Sequence, residues 1–397
     1  MRVAFLSLQQ NFVDAVGRRQ SEMARLQEQV ATGRKFTRPG QDPAGAARVL
    51  GIDTALGANA QYVRNIGLAT GRLNIEESVL ADAGDVLQRL RELALQAANG
   101  PLSAENRASI AAEARERRAE LLALANTRDG SGEYLFSGHS TGTMPFADAG
   151  GGVAYRGDQG RREVQIGADR FVADGDDGES VFMRVPDGNG RYRVTAAGTN
   201  AGTLLLGDRS VTDPSQYDGG AYAIVFTAPD AWEVRDAASA VVAAGSYAPG
   251  AAIAFRGLSV VVSGEAVAGD RFDVAASGER SVFATADALL AALESPDGDA
   301  TARVALSNDL SNVLLDLDQA SGRLSDARSG VGARLSVLES QQDLLGVAEI
   351  ELKRVRSEVL DTDYADALTR LQQQLTSLEA AQQAFARTAQ LSIFDYL

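Results

Sequence analysis

Apolar residues repeat with helical spacing at both ends of the chain, and the repeat is sharpest near the C-terminus. There the spacing is 3-4-3-7-4, with Gln382 at the skipped heptad position, and the apolar positions are Leu368, Leu371, Leu375, Leu378, Phe385 and Ala389. This spacing places the side chains on one helical face and is typical of a coiled-coil seam. It predicts a long C-terminal helix that needs an apolar partner.

Similar stripes continue inward from both ends. They comprise Val49, Ile52, Leu56, Val63, Ile66, Leu73, Val79, Ala83, Val86, Leu90, Leu93 and Ala97, and then Leu310, Val313, Leu317, Leu324, Val331, Leu335 and Leu338. Asp42 before Pro43 predicts a helix start, Asn99 and Gly100 before Pro101 predict its end, and Ser103 predicts the next start. We expect residues 45–130 and 300–360 to bury their stripes within one bundle.

The middle of the chain predicts β-structure. Of the 40 glycines, 22 lie between residues 140 and 280, so turns concentrate there. Short β-rich runs lie at 153–156, 162–166, 181–185, 192–195, 222–226, 253–256 and 258–262. The predicted fold class is α+β, with long N- and C-terminal helices forming a coiled-coil bundle and an inserted all-β central domain. The predicted parts are an N-terminal assembly helix and linker (1–40), the two bundle halves (41–139 and 281–360), the β-domain (140–280) and a C-terminal assembly helix (361–397).

The two chain ends carry apolar stripes of their own, and the last seven residues are mostly apolar. Two isolated helices are only marginally stable in water, so we expect these ends to order when they meet other copies of the chain. The predicted assembly interface comprises Phe5, Leu8, Phe12, Leu26, Val30, Leu368, Leu371, Leu375, Leu378, Phe385, Leu391, Phe394 and Leu397.

Composition narrows the possible functions. The 38 basic and 53 acidic residues give a net charge of −15, which argues against nucleic-acid binding. The absence of cysteine excludes disulfides, thiol nucleophiles and thiolate-bound metals. The apolar run from Val3 to Leu6 is too short for an ordinary signal peptide, and no stretch is long enough to span a membrane. We therefore expect no membrane span, and either a cytoplasmic protein or export without signal cleavage.

Two motifs invite a chemical interpretation. Ser137 and His139 are nearly adjacent and lack the strand–turn–helix context of a hydrolase nucleophile, so we predict a turn there. The acidic run from Asp174 to Glu179 has Val185 where a calcium loop needs its glutamate, so we predict a solvated turn. We predict no enzyme activity, catalytic residues, metal site or cofactor.

Several segments carry a family resemblance. Thr32, Gly33 and Arg34, followed by Pro39, Asp42 and Pro43, resemble an N-terminal motif of the flagellin superfamily, and the stretch from Asp361 to Ala365 resembles the start of its terminal helix. Within the superfamily, three further segments are similar to the hook–filament junction proteins, the filament-side hook-associated proteins. These segments are 132–138, 155–166 and 391–397, and 255–272 is similar to a β-module of hook-associated proteins. Residues 175–250 carry no resemblance.

The resemblance implies a secreted, extracellular structural protein at the hook–filament junction, which serves cell motility. It implies export through the flagellar type III apparatus with help from a cytoplasmic export chaperone. The implied assembly is a homo-oligomeric ring between a hook-side hook-associated protein and flagellin. A flagellin filament subunit is the alternative within the superfamily, and a secreted enzyme or a coiled-coil adhesin would be alternatives of another class.

Overall fold

The computed structural model describes residues 2–100, 103–296 and 298–390. Its helices are α1 (Arg2–Thr32), α2 (Pro43–Ala98), α3 (Ala104–Ala125), α4 (Val282–Leu293), α5 (Ala300–Leu360) and α6 (Tyr364–Gln390). Within these described ranges, all the strands lie between α3 and α4. They are β1 (Phe146–Asp148), β2 (Val153–Tyr155), β3 (Glu163–Gly167), β4 (Arg170–Ala173), β5 (Val185–Pro186), β6 (Tyr192–Ala196), β7 (Leu205–Val211), β8 (Tyr222–Ala228), β9 (Ala231–Asp236), β10 (Val241–Ser246), β11 (Ala252–Phe255), β12 (Leu258–Ser263), β13 (Arg271–Ala276) and β14 (Glu279–Arg280). The predicted fold class, terminal helices around a central all-β region, is confirmed.

The predicted helix boundaries are confirmed by their caps. The Asp42 carboxylate accepts a hydrogen bond from the Gly45 amide at 2.9 Å, and α2 begins at Pro43. Helix α2 ends at Ala98, before the predicted stop. The Ser103 hydroxyl accepts from the Asn106 amide and caps α3. Each cap satisfies an amide that has no partner within its own helix.

The chain divides into two compact units, residues 1–64 with 341–397 and residues 65–340. In the second unit, the predicted stripes of α2 and α5 are buried from Val79 to Ala97 and from Leu310 to Val331. Ion pairs tie the helices on the surface. Arg91 pairs with Asp318 between α2 and α5, and Arg89 pairs with Glu113 between α2 and α3. The bundle therefore combines an apolar seam with a charged exterior, as an amphipathic helix requires.

The larger part of the β region is built from two antiparallel sheets that share one core. The first has the strand order β10-β9-β8-β13-β6 and the second β11-β12-β7. Their inward side chains include Tyr192, Ile224, Phe226, Val260 and Phe272. Alternating strand residues bury one face of each sheet, and rings such as Phe226 and Phe272 pack edge to face within this core.

Helix α5 holds the β region with three polar side chains spaced four residues apart. Asn308 accepts from the Leu206 amide at 2.8 Å and donates to the Leu204 carbonyl at 2.9 Å, which pairs the free edge of β7. Asn312 accepts from Arg209 at 2.5 Å. Asp316 accepts from Arg193 and from the Gly188 amide. All three side chains are buried, and each forms hydrogen bonds with the β region, as buried polar groups require.

One predicted strand is wrong. Residues 181–185 do not form a strand, because a π-helical turn runs from Glu179 to Met183 and only Val185 enters β5. Val181 and Phe182 are adjacent and both buried within this turn. Phe182 contacts a cluster of aromatic rings that includes Phe136, Phe146 and Phe283, so tertiary packing overrides the local β-propensity.

The acidic run also departs from its prediction. Asp174 and Asp177 are buried rather than solvated. Arg162 donates to Asp174 at 2.9 Å, and Arg334 of α5 donates to Asp176 at 3.0 Å. Buried carboxylates need such partners, and these come from positions that the local sequence does not show. The turn at Ser137 to Ser140 is confirmed, and Ser137 donates to the Tyr134 carbonyl.

Candidate assembly site

Helices α1 and α6 of the first unit lie side by side and run antiparallel. The rings of Phe12 and Phe385 stack at 4.0 Å between centroids with an interplanar angle of 9°. Further along the pair, Arg19 donates to the Ser377 hydroxyl at 2.6 Å and to the Ser377 carbonyl at 2.9 Å. Each helix is thus the other's apolar partner within one chain.

The facing side chains form what we call the inner seam. Its members are buried or half-buried and comprise Phe12, Val16, Met23, Leu26, Val30, Ala367, Leu371, Leu378 and Phe385. Successive seam positions on each helix are three, four or seven residues apart, the spacing of a coiled coil. The structure therefore brings together six of the predicted interface residues, Phe12, Leu26, Val30, Leu371, Leu378 and Phe385.

Two other predicted interface residues stay largely open to solvent. Leu368 is 50 % exposed and Leu375 is 40 % exposed, although both belong to the apolar repeat that contains Leu371 and Leu378. Tyr364 and Val13 are also exposed, at 52 % and 60 %. We call Tyr364, Leu368 and Leu375 the outer stripe of α6. The repeat is wider than one partner helix can cover, which leaves an apolar face open to solvent.

The remaining predicted interface residues are not described by the structure in full. Phe5 and Leu8 lie within α1, but their side chains are outside the described part of the chain. Leu391, Phe394 and Leu397 lie outside the described residues altogether. Their roles in assembly stay predictions.

A backbone clasp, formed by residues 33–36 and 360–364, joins the inner ends of α1 and α6. The Lys35 amide donates to the Leu360 carbonyl at 2.7 Å, and the Thr362 amide donates to the Gly33 carbonyl at 2.8 Å. Gly33 has a φ of +70°, and a Cβ atom there would lie 2.7 Å from the Tyr364 hydroxyl. The prediction of a linker ending at residue 40 missed this pairing, because backbone bonds between distant segments leave no periodic signal.

Side chains reinforce the clasp. Phe36 is buried, and the Thr37 hydroxyl donates to the Glu28 carboxylate at 2.6 Å. This hydrogen bond favours the charged carboxylate and lowers the pKa of Glu28. The clasp therefore fixes where the paired terminal helices begin.

A second apolar face lies on α5, beyond the predicted stripe that ends at Leu338. Leu344, Val347 and Ile350 are each more than half exposed. In this unit α5 contacts α2, with Asn59 donating to the Leu345 carbonyl and Arg356 pairing with Asp53. One neighbouring helix covers only one side of α5, so the other side keeps an exposed apolar face.

No helix in the described ranges is long and apolar enough to cross a membrane. Within the same ranges, no group of three or more histidine, aspartate or glutamate side chains is placed to hold a metal ion.

Comparison with known proteins identifies the family to which this chain belongs. The model of the bacterial flagellin N-terminal helical region matches residues 3–141, and that of the C-terminal helical region matches residues 314–397. The crystal structure of Xanthomonas campestris FlgL is 40 % identical, covers 77 % of this chain and 99 % of its own, and has a TM-score of 0.73. This chain belongs to the FlgL family, within the flagellin superfamily. The flagellar junction protein FlgL of Legionella pneumophila is 30 % identical over 80 % of this chain and all of its own, with a TM-score of 0.72.

Curated relatives agree with this family. Flagellar hook-associated protein 3 of Salmonella typhimurium is 32 % identical over 196 residues. That match covers 48 % of this chain and 61 % of the relative, so the chain spans less than two thirds of the relative's length. Flagellin FlaB1 of Treponema pallidum matches only 29 % of this chain, which favours the FlgL family over filament flagellins. These relatives are structural flagellar proteins, and the expectation that the chain is not an enzyme is confirmed.

Proposed function

We propose that this protein is a structural subunit of the hook–filament junction, and that the outer stripe of α6 packs against the terminal helices of neighbouring copies. The observation that carries the proposal is the exposure of Leu368 and Leu375 within a coiled-coil repeat whose members Leu371, Leu378 and Phe385 are already buried or half-buried. A repeat with two apolar faces is the pattern of a helix that has more than one helical neighbour. Membership of the FlgL family supports placing that assembly in the flagellum.

The energetics favour assembly by many copies. Full burial of a leucine side chain contributes about 1.5–3 kcal/mol. Leu368 and Leu375 retain roughly half of their exposed surface, so each can contribute about 1 kcal/mol when a neighbour covers it. These small terms add up around a ring of copies, and Val13 on α1 supplies a further exposed apolar side chain. Such a ring would join a hook-side hook-associated protein to flagellin.

The exposed outer stripe of α6 also supports two further expectations, an export chaperone and type III export. An exposed apolar helix face in the cytoplasm is an aggregation hazard, so an export chaperone would cover α6 before the chain leaves the cell. Export through the flagellar type III apparatus would then deliver the chain to the outside without a cleaved signal. A filament subunit would also need terminal-helix contacts, but the family matches favour the junction.

The proposal is tested in a strain that lacks this gene. The strain should release flagellin into the medium, and the wild-type gene should restore attached filaments. The double variant Leu368→Asp with Leu375→Asp should be exported and lost to the medium without restoring filaments. The matched control, Ala237→Asp with Ala238→Asp, adds the same charge to an exposed turn between β9 and β10 and should behave as wild type.

Three quantities separate the outcomes: attached filaments counted by electron microscopy, released flagellin, and the released variant protein. Attached filaments in the deletion strain would overturn the junction function. Normal filaments with the double Asp variant would overturn assembly through the outer stripe.

A further inference from the structure

A buried carboxylate of α2 lies beneath the loop that follows β4. Glu76 is 1 % exposed, and its Oε1 accepts a hydrogen bond from the Asp176 backbone amide at 3.1 Å. Its Oε2 has no hydrogen-bond partner among the residues that the structure describes. On the other side of the loop, Arg334 of α5 donates to the Asp176 carboxylate at 3.0 Å. Residues 174–178 thus connect α2 to α5 through two acidic side chains.

The arginines around this loop form ion pairs with carboxylates other than Glu76, although the Nε atoms of Arg72 and Arg334 have no hydrogen-bond partner among the described residues. Arg72 pairs with Asp129 and donates to the carbonyls of Tyr134 and Leu135. Arg162 pairs with Asp174 and Glu133. The charged groups around Glu76 come from four places. They are Arg72 on α2, Arg161 and Arg162 in the segment before β3, Asp174 and Asp176 in the loop, and Arg334 on α5.

In the described part of the chain Glu76 forms no ion pair of its own, because its nearest arginines pair with Asp129 and Asp176. A buried carboxylate without one is costly when ionised, and protonation removes that cost. Burial and the neighbouring Asp176 charge raise the pKa of Glu76 to about 8, although Arg334 and the Asp176 amide oppose the shift.

We propose that Glu76 and the 174–178 loop form a proton-dependent latch, closed while Glu76 is protonated and weakened once its proton leaves. In the opened state Glu76 is solvated and has its ordinary pKa near 4.5. Because the closed state holds the proton more tightly, the latch is fully stabilised below that value and loses stability as the pH rises toward 8. Above 8 both states are ionised, and the dependence on pH ends.

Hydrogen exchange of residues 174–183 in the full-length protein measures this opening directly, once rates are corrected for the intrinsic effect of pH. One bound proton corresponds to a tenfold fall in protection for each pH unit. From pH 5.5 to 7.5 we expect wild-type protection to fall about 70-fold relative to Glu76→Gln, which keeps the side-chain carbonyl that accepts from the Asp176 amide. The control Asp82→Asn removes an exposed carboxylate from the same helix and should follow wild type.

A wild-type profile parallel to that of Glu76→Gln would overturn the proposal. Should Glu76→Gln fail to fold, infrared spectroscopy of the wild type at pH 7 decides instead. The folded protein should show the carbonyl stretch of a protonated carboxylic acid, and unfolding in urea should remove it. A folded spectrum without that band would equally overturn the latch.

Discussion

Truncation of Leu378 and of Leu375 separates the stability of the terminal helices from their assembly. The two leucines lie three residues apart on α6, but Leu378 is 9 % exposed and Leu375 is 40 % exposed. Leu378→Ala removes apolar packing against α1 and leaves a cavity. Such substitutions cost about 2–5 kcal/mol, and a pair of helices collapses around a cavity more easily than a closed core does. We therefore expect a cost of about 2 kcal/mol for Leu378→Ala and about 0.5 kcal/mol for Leu375→Ala.

Hydrogen exchange of residues 364–390 in the purified full-length protein measures both costs. A loss of about 2 kcal/mol raises local opening roughly 30-fold, whereas about 0.5 kcal/mol raises it only two- to threefold. In assembly, by contrast, Leu375→Ala should have the larger effect of the two substitutions, because it removes surface that is available to a neighbouring copy. We expect Leu375→Ala to weaken the addition of each subunit to isolated flagellar hooks about fivefold, while the helix pair stays intact.

Two results would refute this reasoning. Equal increases in exchange for both variants would mean that Leu375 is already buried within the isolated chain. Unchanged addition of the Leu375→Ala protein to hooks would mean that no neighbour covers the outer stripe.

Three further substitutions test the fold. Asp316→Ala removes a buried carboxylate that accepts from Arg193 and from the Gly188 amide, while Arg193 keeps its pair with Asp187, so urea unfolding should show a loss of about 2–3 kcal/mol. Asp318→Ala, which breaks an exposed pair, should cost less than about 1 kcal/mol. Gly33→Ala should destabilise the clasp by about 1–2 kcal/mol, because Gly33 has a positive φ. Gly57→Ala should stabilise α2 by about 1 kcal/mol, because the added methyl group would lie in open space. Hydrogen-exchange rates in the first unit measure both effects. Ser103→Ala should cost about 1 kcal/mol and speed exchange in the first turn of α3.

The helices were predictable because local signals specify them. Caps at Asp42 and Ser103 and apolar residues at heptad spacing fix where α2 and α3 begin and which faces they bury. The π-helical turn at Phe182 was not predictable, because its conformation depends on rings of Phe146 and Phe283 that are distant in sequence. The burial of Asp176 likewise depends on Arg334, which is 158 positions away.

The assembly site was predictable as a stripe but not as two faces. Leu375 and Leu378 have the same residue type and belong to the same repeat, so no sequence pattern distinguishes the paired leucine from the open one. Only the number of neighbouring helices decides that difference. The same reason explains the exposed Leu344, Val347 and Ile350 on α5, since periodicity shows that a face is apolar but not what covers it.

The central claim is that neighbouring copies cover the outer stripe of α6. Because the chain has no cysteine, Leu375→Cys and the control Ala238→Cys each introduce a single thiol whose reaction with a maleimide can be followed. Both thiols should react readily in the purified protein. In intact flagella, Leu375→Cys should become protected while Ala238→Cys, in its exposed turn, should stay reactive. Equal reactivity of Leu375→Cys before and after assembly would contradict the account.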